Sequence, residues 1–113
     1  MLTQARIVNG ASKAAHFNVL RYTVTVGNSG HHIVAQGAKA AEPARRILKS
    51  LQIDIDAAEN GVALPTKFHN SLHTEAYYRM VNTAAKKWKT KEQAIKGLED
   101  IARYLMKKSG KLK

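Results

Sequence analysis

The stretch SGHHIVAQ, residues 29–36, places two histidines side by side ahead of a short apolar run, in a chain that has only five histidines. The segment HHIV, residues 31–34, is typical of a short strand. Successive side chains of a strand point to opposite faces. His31 and His32 are therefore expected to serve two different roles rather than to bind one ion together, although the dipeptide alone is also compatible with a chance pairing in a loop.

Two further histidines lie four residues apart, His69 and His73 in PTKFHNSLHTEAYY, residues 65–78. From about Lys67 the apolar period is helical, and residues four apart on a helix share one face. Both imidazoles would then reach one ion, at about 2.0–2.1 Å for zinc. An H-x-x-x-H pair alone is equally found as two ordinary histidines. Together with one histidine of the first pair it supplies three imidazole ligands, which leave open metal positions for water and phosphate.

An imidazole that acts as a base needs a second group to fix its tautomer and orientation. Asn60, in the pair Asn60-Gly61, is a candidate for that group because an amide or backbone carbonyl can accept or donate the necessary hydrogen bond. Asn-Gly is also a turn former whatever the chemistry, so both interpretations of Asn60 stay open.

Composition narrows the class of protein. The chain has 113 residues, which is enough for one domain, and it contains no cysteine, which excludes disulfides and thiol catalysis. No apolar run approaches the roughly 20 residues of a membrane span, and no signal peptide is recognisable at the start. Nineteen Lys and Arg against eight Asp and Glu give a net charge of +11. This excess favours a polyanionic partner, with nucleic acid first and an anionic membrane surface or an acidic protein next.

The remaining elements follow from periodicity and capping signals. The sequence predicts a linker or poorly ordered segment over residues 1–19 and a single domain over 20–113. Within that domain it predicts a half-buried strand LRYTVTV (20–26), a loop GNSG (27–30), a helix AAEPARRILKSL (40–51) with Pro43 in its first turn, an extended VALP (62–65) and a basic C-terminal helix over 91–108 after the capping pattern TKEQ (90–93).

The order of these motifs resembles a known family. GHHIVAQ (30–36), ARRIL (44–48), IDIDAAENGVALP (53–65) and HNSLHTEAYY (69–78) are similar to the AHH family of HNH/endonuclease VII-type nuclease toxins, over a motif core of about residues 30–82. In such nucleases an adjacent histidine pair, an asparagine and a final H-x-x-x-H follow in this order. The chain departs from the pattern at Gly30, where the family name expects alanine, and at Ala35, where many HNH proteins carry proline.

The resemblance implies a fold and roles for individual residues. The fold would be α+β, with a ββα-metal (HNH, or His-Me finger) core, additional packed helices and a mainly helical C-terminal half. His31, His69 and His73 would bind one divalent metal ion, whether Zn, Ni, Mg or Mn. His32 would be the general base, and Asn60 would hold His32 in its productive orientation. Four basic residues are candidates for binding phosphates of nucleic acid: Lys67, Arg79, Arg45 and Arg46.

The resemblance also implies a biological setting. The chain would be a metal-dependent endonuclease acting on DNA, with RNA possible, as a monomer with no membrane partner. It would be the C-terminal toxin domain of a larger secreted bacterial polymorphic toxin, active in the cytoplasm of a target cell and silenced in the producer by an acidic immunity protein. The alternative is a non-catalytic, metal-stabilised nucleic-acid-binding module, which would need a fourth ligand such as Asp54, Asp56 or Glu75.

Overall fold

The computed structural model describes residues 13–111, and within that range the chain folds into five helices and one two-stranded antiparallel sheet. The elements follow in the order α1 (Lys13–Tyr22), β1 (Asn28–His32), a 3₁₀ turn (Lys39–Ala41), α2 (Glu42–Ser50), a second 3₁₀ turn (Ala58–Asn60), β2 (Gly61–Pro65), α3 (Thr66–Ser71), α4 (Glu75–Ala85) and α5 (Lys91–Lys108). The predicted α+β class is confirmed, as is the mainly helical C-terminal half. No helix in the described range is long and apolar enough to cross a membrane.

The predicted strand over residues 20–26 is wrong. Residues 20–22 are the last turn of α1, and beyond it Val24 and Val26 are 54% and 102% exposed. Residues 20–22 adopt a helix and not a strand because Phe17 and Arg21, four residues apart on one face of α1, are both buried. Since α1 begins at Lys13, the linker prediction also fails for residues 13–19. Residues 1–12 lie outside the described range, where the linker stays a prediction.

The sheet positions the histidine pair. Strand β1 begins at Asn28, so three residues of the predicted GNSG loop belong to the strand, and it ends at His32 rather than at Val34. It pairs with β2 in an antiparallel register that sets His31 opposite Val62 and His32 opposite Gly61. Strand β2 confirms the extended VALP segment, and its three central residues are buried because helices cover it on both sides.

The helices of the core follow the sequence signals closely. In α2, Pro43 lies in the first turn and the predicted stripe places Ala44 and Leu48 in the core. The N-cap of α5 is Thr90, whose hydroxyl accepts a hydrogen bond from the backbone N–H of Gln93 at 3.1 Å. The side-chain oxygen of Gln93 in turn accepts from the backbone N–H of Lys89 at 2.7 Å. The predicted basic helix over 91–108 is therefore confirmed with its capping pattern.

Helix α5 passes closest to its neighbours at Gly97, and this contact gives a stability prediction. A Cβ added at Gly97 would stand 2.1 Å from Nε1 of Trp88, a buried indole ring that has no room to move aside. Overpacking a core costs about 1–3 kcal/mol, while alanine in a helix gains about 1 kcal/mol over glycine. We expect Gly97→Ala to lower the free energy of unfolding in urea by up to about 2 kcal/mol. Gly37→Ala is the matched control because a Cβ there meets nothing within 4 Å; an equal effect of both substitutions would contradict the steric explanation.

Candidate functional site

The two histidines of β1 face different surroundings, as the strand geometry predicts. His31 is 4% exposed and points into the protein. The side chain of His32 is 37% exposed and reaches toward the loop that precedes the second 3₁₀ turn. The expected opposite orientation of the two side chains is confirmed, and their two different roles stay a prediction.

His31, His69 and His73 form one cluster of imidazole rings. Nδ1 of His31 lies 3.0 Å from Nδ1 of His69, and Nε2 of His69 lies 3.4 Å from Nε2 of His73. The fold therefore brings together the three histidines that the sequence grouped. The assumed route was wrong, because His69 and His73 do not share a helix: α3 ends at Ser71 and α4 begins at Glu75. His73 lies in the connection between them and still turns its ring toward His69.

A tyrosine on α4 fixes the tautomer of His31. The hydroxyl of Tyr77 donates a hydrogen bond to the carbonyl oxygen of Ile33 at 2.7 Å, and it lies 2.8 Å from Nε2 of His31. The hydroxyl has one proton, and it is used in the hydrogen bond to the carbonyl oxygen. The hydroxyl oxygen can therefore only accept from His31, so Nε2 of His31 must carry a proton. The neutral imidazole then holds its lone pair on Nδ1, the atom that faces His69. Tyr77 is a core residue, as expected, and it also orients His31.

The cluster keeps His31 neutral. The pKa of His31 is lowered from 6.5 to about 3, first by burial and then by the neighbouring imidazoles of His69, His73 and His32, because positive charges on adjacent rings would repel. The pKa of His69 is lowered in the same direction, first by burial and then by His73 and His32. Neutral imidazole is the form that binds a metal ion.

These lowered pKa values predict that the metal-free protein loses stability in acid. The unfolded chain protonates His31 near pH 6.5, whereas the folded chain resists protonation until about pH 3. The free energy of unfolding should be unaffected by this group above pH 6.5 and should fall below it, by up to about 1.4 kcal/mol per pH unit for one proton. Urea unfolding with EDTA at pH 7.5, 6, 5 and 4 measures the slope. His31→Gln should flatten it, and parallel slopes for the two proteins would contradict the assignment.

His32 has a partner that the sequence did not indicate. Nε2 of His32 lies 2.8 Å from Oδ1 of Asp56. The backbone N–H of Asp56 donates to Oδ1 of Asp54 at 2.7 Å, which fixes the turn that carries the carboxylate. A carboxylate only accepts hydrogen bonds, so Nε2 of His32 is protonated and the lone pair of the neutral ring is on Nδ1.

Asn60 does not contact the ring of His32. It is completely buried, and its amide oxygen accepts from the backbone N–H of Val34 at 2.8 Å. Its amide nitrogen donates to the carbonyl oxygens of Val34 at 3.1 Å and Ile55 at 2.8 Å. The amide of Asn60 therefore makes no hydrogen bond to His32, and the expectation that Asn60 orients His32 stays a prediction, with the backbone as the route. Asn60 ties the chain that leaves β1 to the loop of Asp56, so it acts on the backbone at both sides of the His32–Asp56 pair.

A cavity of about 300 Å³ lies beside both histidine groups. His32 forms one part of its wall and the cluster of His31, His69 and His73 another, and the loop 35–38 and Tyr78 close it. A phosphodiester in this cavity would meet the exposed imidazole on one side and the histidine cluster on the other.

A comparison with protein families agrees with this geometry. Residues 13–105 match the model of AHH, a nuclease family of the HNH/ENDO VII superfamily with conserved AHH. The chain belongs to this family. The match covers far more than the motif core of residues 30–82, and it identifies the protein as a nuclease whose substrate is nucleic acid. No curated protein and no solved structure matches the chain.

Nucleases of the HNH/ENDO VII superfamily generally use a divalent metal ion. The donor chemistry of the AHH nuclease fits one, since three neutral imidazoles suit divalent transition metals. As packed, however, His69 turns its two nitrogens toward different neighbours, and within residues 13–111 no three His, Asp or Glu side chains form a metal-ligand group. The candidate fourth ligands are engaged elsewhere: Asp56 with His32, Asp54 with the backbone of Asp56, and Glu75 with Arg79.

The four predicted phosphate ligands of the nuclease do not line the cavity. Arg45 donates to the carbonyl oxygens of Ala35 and Ala38 at 3.0 and 2.6 Å, so it shapes the cavity wall from behind. Arg46 and Arg79 form exposed i, i+4 ion pairs with Glu42 and Glu75. Lys67 is exposed on α3, two residues from His69. Whether any of the four binds phosphate stays a prediction.

Two residues of the site were assigned no such role from the sequence. Asp56 lies in a segment without regular period, and it was considered only as a metal ligand. Tyr77 lies in a segment of helical period, and nothing in that spacing reveals that its hydroxyl reaches His31. Each of these residues contacts a partner that is far away in the chain. Asp56 is 24 positions from His32, and Tyr77 is 46 positions from His31, so no local pattern connects them.

Proposed function

We propose that this AHH nuclease is a metal-dependent endonuclease that hydrolyses DNA, with His32 as its general base. The observation that carries the proposal is that His32, which is hydrogen-bonded to Asp56, lines one cavity together with the cluster of His31, His69 and His73. The family membership supplies the reaction class, and the cavity supplies a place where a phosphodiester meets both groups.

His32 performs the proton transfer in this mechanism. Asp56 holds the proton on Nε2, so Nδ1 accepts the proton of a water molecule as its oxygen attacks phosphorus. The new P–O bond forms in line with the bond from phosphorus to the 3′-oxygen. That bond breaks, and the leaving 3′-oxygen takes a proton from solvent. General-base catalysis of this kind contributes about 10²- to 10⁴-fold. Asp56 is a positioning residue, because it acts on the substrate only through His32.

His31, His69 and His73 would hold the metal ion, with Nδ1 of His31 as one donor. Binding would require the ring of His69 to rotate, since its nitrogens now face two different neighbours. A bound divalent ion would supply Lewis-acid stabilisation of charge on the phosphate oxygens. Tyr77 would keep the donor atom of His31 aimed at the cluster.

Charge supports nucleic acid as the substrate. The net charge is +11, and the segment from the end of α4 to the first residue of α5 presents exposed lysines that complement a phosphate backbone. These residues are Lys86, Lys87, Lys89 and Lys91. The same charge complements an acidic immunity protein. We propose, from the family resemblance, that the nuclease is the toxin domain of a secreted polymorphic toxin and acts as a monomer in the cytoplasm of a target cell.

Cleavage assays with defined metals test the proposal. Purified protein is incubated with supercoiled plasmid and, separately, with structured RNA, each with Mg, Mn, Ni, Zn or EDTA. We expect metal-dependent plasmid cutting that EDTA abolishes. Cutting of RNA alone would overturn the DNA assignment. No cutting by folded protein with any of these metals would overturn the proposal and favour the non-catalytic binding module.

Metal titration checks the ligand set independently of activity. Calorimetry with Zn or Ni at pH 8 and pH 5 should show weaker binding at pH 5, because imidazole ligands must be deprotonated. His69→Ala should abolish binding at both pH values, whereas the exposed residue Tyr104 gives a control, Tyr104→Ala, that should leave it unchanged. Equal affinity at the two pH values would contradict a histidine site.

A further inference from the structure

A second cavity, of about 250 Å³, lies on the other side of the His32–Asp56 pair. Its walls come from the end of α1 and the residues after it, from β1 and β2, and from the loop of Asp56. The polar side chains of its lining are Arg21, His31, His32 and Asp56. The other side chains are apolar or aromatic: Tyr22, Val24, Ala57, Ala58, Val62 and Ala63. The mechanism proposed above makes no use of this space.

The charges around the second cavity disfavour a phosphate in it. Among the described residues of its lining, Arg21 carries the permanent positive charge. Its guanidinium donates to the backbone carbonyl oxygens of Glu59 and Gly61, so it is occupied in joining α1 to β2. The carboxylate of Asp56, on the opposite wall, repels an anion. A neutral group with apolar faces is the better occupant.

The aromatic wall favours a planar group. Tyr22 lines the cavity, and the guanidinium of Arg21 lies over its ring at 5.2 Å from the centroid. Nucleobases stack on tyrosine rings, and the stacking tolerates any base because every base has a π-face. Because His32 forms the boundary between the two cavities, a nucleotide whose phosphate meets His32 would extend its base toward Tyr22.

We propose that the cavity of Tyr22 binds a nucleobase next to the scissile phosphate, and that the nuclease therefore prefers DNA in which this base is unpaired. A base within a duplex must leave its stack to enter a concave site, and this costs least where the base is already mismatched or single-stranded. This inference rests on the proposed nuclease function and adds the substrate class to it.

Matched oligonucleotides test the preference in the intact protein. Four DNA substrates share one sequence: a perfect duplex, a duplex with one mismatched base, a single strand, and a single strand made abasic at the nucleotide beside the mapped cleavage site. We expect kcat/KM for the mismatched duplex and the single strand to exceed that of the perfect duplex by about 5- to 150-fold, the range for stacking of one base. The abasic strand should lose this advantage. Equal cleavage of the abasic and intact strands would overturn the proposal.

Variants locate the effect in the cavity. Tyr22→Ala should raise KM for the single strand by about 5- to 150-fold, with a much smaller change in kcat and no change for the abasic strand. Tyr22→Phe keeps the ring and should behave like the intact protein, and the exposed Tyr104→Ala serves as the surface control. Ala58→Leu, which fills the cavity, should mimic Tyr22→Ala and keeps the test possible if that variant unfolds. An equal loss on all four substrates would overturn the proposal.

Binding without cleavage separates this proposal from the function on which it rests. Fluorescence anisotropy of labelled strands in EDTA should show tighter binding of the intact strand than of the abasic strand, and only when Tyr22 is present. If the protein cuts DNA but shows no such difference in binding or KM, the base site is wrong and the nuclease stands. If it cuts nothing while the Tyr22-dependent difference persists, the base site stands and the proposed function is wrong.

Discussion

Replacing His32 with alanine should lower kcat for DNA cleavage by about 10²- to 10⁴-fold, the contribution of a general base. The side chain of His32 is partly exposed and its hydrogen bond to Asp56 is at the surface, so the substitution should change the free energy of unfolding by less than about 1 kcal/mol. Plasmid nicking under single-turnover conditions, with urea unfolding beside it, measures both quantities. Activity within threefold of the intact protein would contradict the role of His32.

The Asp56 variants show whether the carboxylate works through His32. Asp56→Asn should lower kcat less than His32→Ala does, because the imidazole remains but its tautomer is no longer fixed. In the double variant the two losses should not add, since Asp56 has nothing to orient once His32 is gone. Asp56→Glu should recover part of the activity if the longer carboxylate reaches Nε2. Fully additive losses would show that Asp56 acts elsewhere. Lys96→Gln, which breaks an exposed ion pair with Asp100 on α5, is the control.

The sequence predicted the parts of the fold that local signals specify. Helix α5 has a capping residue, a long apolar stripe and a matching boundary, and VALP is a run of small and branched apolar residues that both faces of the sheet bury. The strand prediction for residues 20–26 failed because the alternation of apolar and polar residues there is short. Phe17 and Leu20, three residues apart, satisfy a helical period, and the packing of α1 on β2 decided between helix and strand.

The candidate site divides in the same way. The resemblance grouped His31, His69 and His73, and the fold brings them together. Spacing alone misplaced His73 on a helix, because an i, i+4 pattern does not show that α3 ends at Ser71. No local pattern could predict that Asp56, and not Asn60, bonds to His32. Both residues contact partners more than 20 positions away, and the loop of residues 52–60 that carries them has no regular period.

Replacing Asn60 with alanine should lower the free energy of unfolding by about 3–5 kcal/mol, the largest stability effect we expect at the site. The amide makes two buried hydrogen bonds to the backbone of Val34 and one part-buried hydrogen bond to the backbone of Ile55. Without the amide those groups have no partner in the core, and each costs about 1–3 kcal/mol. For a domain whose total stability is of the order of 5–15 kcal/mol, this is a large fraction. Urea unfolding at 10 °C measures the loss.

Asn82 provides a matched control for this prediction, because its amide makes the same kind of bond away from the cavity. It donates to the carbonyl oxygen of Ala40 at 2.8 Å and accepts from the N–H of Ala44 at 3.2 Å. Asn82→Ala should destabilise the fold by less and leave kcat per folded molecule unchanged. Asn60→Ala should lower both the free energy of unfolding and kcat per folded molecule, because the backbone near His32 and Asp56 loses the hydrogen bonds of the amide. A loss of kcat at unchanged stability would mean instead that Asn60 acts on the imidazole of His32, as the family resemblance implies, and that the backbone clamp is not its function.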